Sequence, residues 1–292
     1  LIKCGGIRWS IHPLFIIVML ASAVTGYFAE LLTLFILVLV HELGHVVVAK
    51  GFGWTIREVK LLPFGGVAEV DEAGGITAKE DAIVAIAGPL QNVWMGALAW
   101  GLGVAGIWDE AWAQYVGQAN LMIALFNLLP IYPLDGGKLL QALLSYMMNY
   151  YRMLIWSARL SLLFSAMMLL GALFPLIGGE GIQLNLFIVG TFLLVSNWTY
   201  HRNIPYLFYR FLTHRSNQAE DVSEQGKTVS PIIVNGKQSV LSVAKLFNRE
   251  RYHLVYVIGA SSTGLQVLPE GRIVDGCLSG LNPHRAVSEL FS

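Results

Sequence analysis

Apolar residues run along this chain in long blocks, unlike the alternating or three-to-four spacing of a water-soluble domain. Six blocks are long enough to cross a bilayer core of about 30 Å, some with modest tilt. They are Ile11 to Tyr27, Leu31 to Ala49, Ala82 to Trp100, Val116 to Pro133, Met153 to Phe174 and Ile182 to Trp198. The first two form a helical hairpin turning at Glu30, and Arg159 interrupts the fifth. From about Thr213 the blocks stop, and residues 213–230, rich in Ser, Gln, Asn and charge, read as a linker. Beyond it Pro231 to Val234 and His253 to Ile258 have the composition of short strands, with the amphipathic stretch Val240 to Phe247 between them. The predicted fold class is therefore a polytopic α-helical membrane protein. Residues 1–212 form its transmembrane domain and 231–292 a small α/β module, near the lower size limit for an independent core.

Composition agrees, with 55% hydrophobic and 13% charged residues and a mean hydropathy of +0.60. Formal net charge is zero, so no global basic surface points to direct nucleic acid binding. Cys4 and Cys277 lie far apart without any Cys-x-x-Cys spacing, which indicates neither a disulfide framework nor a thiolate metal site. No small-residue cleavage site follows the first block, and a cleavable signal peptide is not expected.

The placement of charge sets orientation. Lys and Arg concentrate in the segments before block one, between blocks two and three, between four and five, and after six, whereas the alternate links carry only Glu30, Asp109, Glu110 and Glu180. Cationic loops stay in the cytoplasm, which puts both termini there.

Against this background His41-Glu42-Leu43-Gly44-His45 is out of place, because each ionisable residue within a span costs roughly 2.5 to 3.5 kcal/mol. On a helix His41 and His45 are four residues apart and share a face, so their imidazoles can hold one metal ion, with Glu42 beside them as general base. Helix-packing polar groups are the bland alternative. A catalytic zinc usually takes a third protein ligand. The acids of the outer links are at the wrong end, since Lys50 follows His45 by five residues, roughly 7 to 8 Å along a helix. Two inner-side groups remain: His12, opening the first block, and Asp135. Asp135 is the better ligand, because Asn127-Leu-Leu-Pro-Ile-Tyr-Pro133-Leu-Asp135-Gly-Gly137 breaks its helix at depth, which is tolerated only where backbone lines protein or a wet cavity.

Two further features flank the site. Leu61-Leu-Pro-Phe64-Gly65-Gly66-Val-Ala-Glu-Val70 is apolar, too short to span and alternating at its end. It reads as a re-entrant loop or hairpin whose strand edge could hold an extended substrate, or else as an interfacial loop. Phe64, Gly65 and Gly66 from this segment, with Asn127 and Pro133 from the broken helix, are the expected substrate-binding positions. Gly88-Pro-Leu-Gln91-Asn92 puts polar groups within the third block, where helix glue is a somewhat better reading than a bond to substrate.

With HELGH in one span and NLLPIYPLDGG in a later one, the chain resembles the site-2 protease family of intramembrane zinc metalloproteases over roughly residues 10 to 200. The resemblance implies that His41, His45 and Asp135 ligate one Zn2+ and that Glu42 is the catalytic base. The PFGG segment would be the family's re-entrant loop. Six spans, His12-Pro13 and a small C-terminal domain further resemble the family's sporulation branch. That branch implies cleavage of a membrane-associated pro-sigma factor, inhibition by membrane partner proteins, and residence in the membrane around the forespore. It also implies a cystathionine-beta-synthase-type (CBS) domain responding to ATP, whose motifs usually associate in pairs and so imply a homo-oligomer. Alternatives are a site-2 protease of another signalling pathway or, in a different class, a membrane zinc transporter. The transporter would need ligands along both halves of the spans, and the outer halves lack them.

Overall fold

The computed structural model describes residues 2–4, 7–11, 19–20, 22–62, 65–71, 76–179, 181–225, 229–261, 264–279 and 282–291. His12, Phe64 and most of the first apolar block lie outside them. The chain divides into two compact units, Leu1–Leu139 and Leu140–Ser292.

In the first unit β1 (Ile2–Cys4), β2 (Ile7–Ile11), β3 (Thr55–Leu62) and β4 (Gly65–Asp71) form one sheet in the order β1-β2-β3-β4. Only β2 and β3 pair in parallel, and helix α1 (Phe28–Gly51) lies between them in sequence. The segment around PFGG is thus a hairpin, with Leu62 opposite Gly65 and β4 at the edge of the sheet. The two N-terminal strands were not expected from the hydrophobic blocks.

Helices α2 (Ala78–Val104) and α3 (Glu110–Asn127) complete this unit, and α4 (Asp135–Met147) begins in it. Helix α2 starts four residues before its apolar block because Thr77 and Glu80 form a reciprocal cap: Glu80 N donates to Thr77 Oγ1 at 3.2 Å, and Thr77 N to Glu80 Oε2 at 3.3 Å. Helices α1 and α2 meet where side chains vanish. A β-carbon at Gly44 would lie 2.8 Å from the Ala87 carbonyl oxygen, so the HELGH glycine lets the two backbones touch. Val46, Ala49, Ile56 and Val84 pack beside this crossing.

The radial pattern of polarity is the reverse of a soluble protein's. On α2 Asn92 is 1% exposed, whereas Val93 is 61% and Trp100 71% exposed. A lipid surround explains this: apolar side chains lose nothing by facing acyl chains, and polar ones find partners only inward. Among the described residues three helical segments are long and apolar enough to cross a membrane: Phe28–Gly51, Ala78–Val104 and Tyr150–Gly178. The chain is thus mostly helical, with membrane-crossing helices.

The second unit holds α5 (Tyr150–Leu173), α6 (Leu184–Arg202), α7 (Ile204–Gln225) and a three-stranded sheet of β5 (Val229–Asn235), β6 (Tyr252–Ser261) and β7 (Gly264–Pro269). Arg159 does not break α5; its guanidinium sits 5.7 Å from the centroid of the Trp156 ring. Strands β5 and β6 are parallel, joined through α8 (Val240–Ala244); β7 returns antiparallel and leads into α9 (Glu270–Leu278). The stretch 213–230 differs from the expected linker, being helical as far as Gln225. Phe208 and Leu212 of α7 are buried with Val243, Phe247, Val255 and Ile273 of the module, and that apolar contact is why the helix continues.

Candidate metal centre

His41 and His45 project from the buried face of α1 across one helical turn, and Asp135 is the first residue of α4. Their facing atoms converge. His41 Nε2 and His45 Nε2 are 3.2 Å apart, and each is 3.1 Å from Asp135 Oδ2. All three side chains are buried.

The outer ring nitrogens settle which atoms face inward. His45 Nδ1 donates to the carbonyl of Val84 at 2.7 Å, because a carbonyl can only accept. His41 Nδ1 bonds Asn92 Oδ1 at 2.5 Å, and Asn92 in turn bonds Asn120 at 2.9 Å. With each imidazole neutral, these bonds leave both Nε2 atoms presenting lone pairs to a carboxylate oxygen, an arrangement that a cation held between them would relieve. Lys138 Nζ lies 3.5 Å from Asp135 Oδ1 and balances part of the carboxylate's charge. A tetrahedral zinc with bonds of about 2.0 to 2.1 Å keeps its ligand atoms about 3.3 to 3.4 Å apart, close to the separations found. The donor set of two neutral imidazoles and one carboxylate suits that ion.

Glycines make room for the cluster. A β-carbon at Gly88 would lie 2.7 Å from His41 Nε2 and 2.5 Å from His45 Cε1. The chain from Leu128 to Leu134 leaves α3 and turns sharply into α4. There a β-carbon on Gly136 would meet the Leu129 oxygen at 2.4 Å, and one on Gly137 the Tyr132 nitrogen at 2.5 Å. The glycines expected to break the helix instead let a new one start against the old one's end, which carries Asp135 into the space facing α1.

Glu42 is buried next to His41. Of the positions expected to bind substrate, Pro133 lies in the turn before Asp135, and Gly65 and Gly66 open β4. Asn127 ends α3, and its side-chain N–H donates to the Ile123 carbonyl at 3.1 Å, within its own helix. Gln91 accepts from Trp94 Nε1. Asn92 was expected as helix glue and is more than that, since it joins α2 both to a candidate ligand on α1 and to α3.

Two imidazoles one turn apart, a neighbouring glutamate and a carboxylate from a later helix, all among membrane helices, define an intramembrane metallopeptidase. The profile of peptidase family M50 matches residues 29–108 and 108–170. Stage IV sporulation protein FB of Bacillus subtilis (strain 168) is 33% identical over 281 residues, covering 96% of this chain and 95% of that protein. A zinc metalloprotease of Methanocaldococcus jannaschii is 35% identical over 164 residues, covering 52% of this chain and 47% of that protein. The solved site-2 protease from Methanocaldococcus jannaschii superposes with a TM-score of 0.54 at 29% identity, over 69% of this chain and 94% of that one. The chain belongs to peptidase family M50, the site-2 proteases, and is a metalloprotease related to the sporulation protein along nearly its whole length.

Proposed function

We propose that this chain is an intramembrane zinc endopeptidase that releases a membrane-associated pro-protein during sporulation, a pro-sigma factor being the substrate class. His41, His45 and Asp135 hold the metal and Glu42 moves the proton. The observation that carries this reading is the convergence of three lone-pair-bearing atoms, from two helices far apart in sequence, within 3.2 Å. Kinship with stage IV sporulation protein FB over 96% of the chain supports the sporulation role.

Zinc held there would polarise the scissile carbonyl and lower the pKa of a water toward about 7. Glu42, adjacent to His41 and shielded from bulk solvent, takes a proton from the attacking water and returns it to the amine of the leaving chain. Among the described strands β4 is the last of its sheet, so its outer edge can pair with an extended substrate backbone, and Gly65 and Gly66 allow close approach. Pro133 and the turn before Asp135 wall the approach to the metal. Asn127 would have to leave the Ile123 carbonyl before it could stabilise an oxyanion.

The proposed topology has six spans with both termini cytoplasmic. It is supported by the charge pattern and by helices α1, α2, α3, α5 and α6 falling on five of the six apolar blocks. Residues 1–212 are the membrane domain and 231–292 a CBS-like domain, a reading favoured by its strand-helix-strand-strand-helix order. Pairing of such domains in a homo-oligomer, control by ATP and restraint by inhibitory membrane proteins belong to the same proposal.

The test is co-expression of full-length protein with membrane-associated pro-proteins, wild type against Glu42→Gln. Product of reduced size appears only with wild type. Equal product from both removes Glu42 from the chemistry.

A further inference from the structure

Behind His41 runs a line of buried amides whose direction is fixed from its far end. The carbonyl of Val116 on α3 can only accept, so the Asn120 group facing it at 2.9 Å is the Nδ2 donor. Asn120 Oδ1 then faces Asn92, which must present its own Nδ2, at 2.9 Å. That leaves Asn92 Oδ1 toward the His41 ring, and Nδ1 must carry the hydrogen. Asn92 is 1% and Asn120 0% exposed. Both amides are thus shut off from bulk solvent, and reversing the line would set two acceptors face to face at Val116.

We propose that Asn120, which touches none of the metal-ligand candidates, is a positioning residue that sets the zinc affinity of the site. Through Asn92 it fixes the tautomer of His41, so that Nε2 offers its lone pair. His45 needs no such relay, because Val84 supplies a carbonyl directly. The inference rests on the metal-centre reading above. Its consequence is specific: removing Asn120 leaves Asn92 free to turn its amide over and present Nδ2 to His41, which favours hydrogen on Nε2 and competes with metal. Outer-shell partners of metal-bound histidines are worth roughly 10- to 100-fold in affinity.

The experiment is chelator competition for zinc on purified full-length protein, which does not depend on proteolysis. Asn120→Leu should weaken zinc at least about tenfold. In an Asn92→Asp background the carboxylate can only accept from His41 whichever way it turns, and Asn120 Oδ1 faces it acceptor to acceptor, so adding Asn120→Leu should not weaken zinc relative to Asn92→Asp alone. A packing role for Asn120 would instead carry the same penalty into both backgrounds, and that result overturns the proposal. Asn120→Asp covers the case in which leucine is not accommodated. It keeps an acceptor facing Asn92 and, in its protonated form, a donor facing Val116, so it should retain zinc to within about twofold. A tenfold loss in Asn120→Asp also overturns the proposal. Failure of wild type to bind zinc would remove the metal-centre reading itself, and is separable from a wild type that binds zinc regardless of Asn120.

Discussion

Gly88 presses its bare α-carbon against the edge of the His45 ring, so that a β-carbon there would stand 2.5 Å from Cε1. A separation under 3 Å is not met by real side-chain carbons, and the far wall is fixed, since His45 is anchored by Val84. Gly88→Ala should therefore rotate or displace both imidazoles while leaving the helices inserted. Zinc content and proteolysis are expected to fall together by at least about tenfold, as for loss of an outer-shell contact. Metal analysis of membrane-extracted protein checks this, and a variant with full zinc would mean that α2 can retreat at no cost.

The assignment of the third ligand yields a contrast between two residues that the charge pattern places on the same side of the membrane. Asp135→Ala should lose zinc and activity together, because it deletes the one carboxylate that meets both Nε2 atoms. His12→Ala should keep both. Zinc stoichiometry of the two purified variants decides it, and the reverse pattern would transfer the ligand role to His12.

HELGH and the Asp135 segment were legible because their chemistry is local: an i, i+4 pair on a helix and a carboxylate after two prolines signal a site without tertiary information. Asn92 and Asn120 were not, since an amide within a span reads equally as glue, and the rotation of α2 against α1 and α3 decides what it touches. Hydropathy found α1, α2, α3, α5 and α6 but placed the start of α2 late, because it measures apolarity and cannot see the Thr77–Glu80 cap. It also missed strands β1 and β2, whose pairing with β3 is a nonlocal event. Polar composition made residues 213–230 look like a linker. The signal against it was the spacing Phe208, Phe211, Leu212 and Arg215, an apolar stripe ending in a cation.

Topology gives a prediction that does not touch the site. Reporter fusions at Asn217 should read cytoplasmic and fusions at Asp109 external, because Lys and Arg crowd the inner links and the outer ones hold only acids. Opposite readings would put the Lys50 end of α1 outside and undo the elimination that favoured Asp135.

The last prediction concerns Arg215, which fastens α7 to the C-terminal module. Its guanidinium donates to Glu270 Oε1 at 2.6 Å and to the carbonyls of Asn248, Arg249 and Arg251 at 2.5 to 2.7 Å. Glu270 is 2% exposed, and its second oxygen accepts from both the backbone N–H and the ring Nδ1 of His253. Arg215→Ala leaves that carboxylate buried with its cation gone, a loss of about 3 to 5 kcal/mol for a buried pair. Arg215→Lys keeps the charge but has three donors and no planar fork, so it should lie between the two. Cys277 reports the outcome from within the same core. Burial pushes its thiol up to about 11, the charge of Arg285 offsetting only part of the rise. At pH 8 roughly one molecule in a thousand then carries the reactive thiolate. Alkylation at pH 8, followed by mass analysis of the Cys277 peptide, should be slow in wild type, faster in Arg215→Lys and fastest in Arg215→Ala, where opening of the module restores an ordinary thiol. Equal rates in all three proteins would mean that the apolar contacts of Phe208 and Leu212 hold α7 in place unaided.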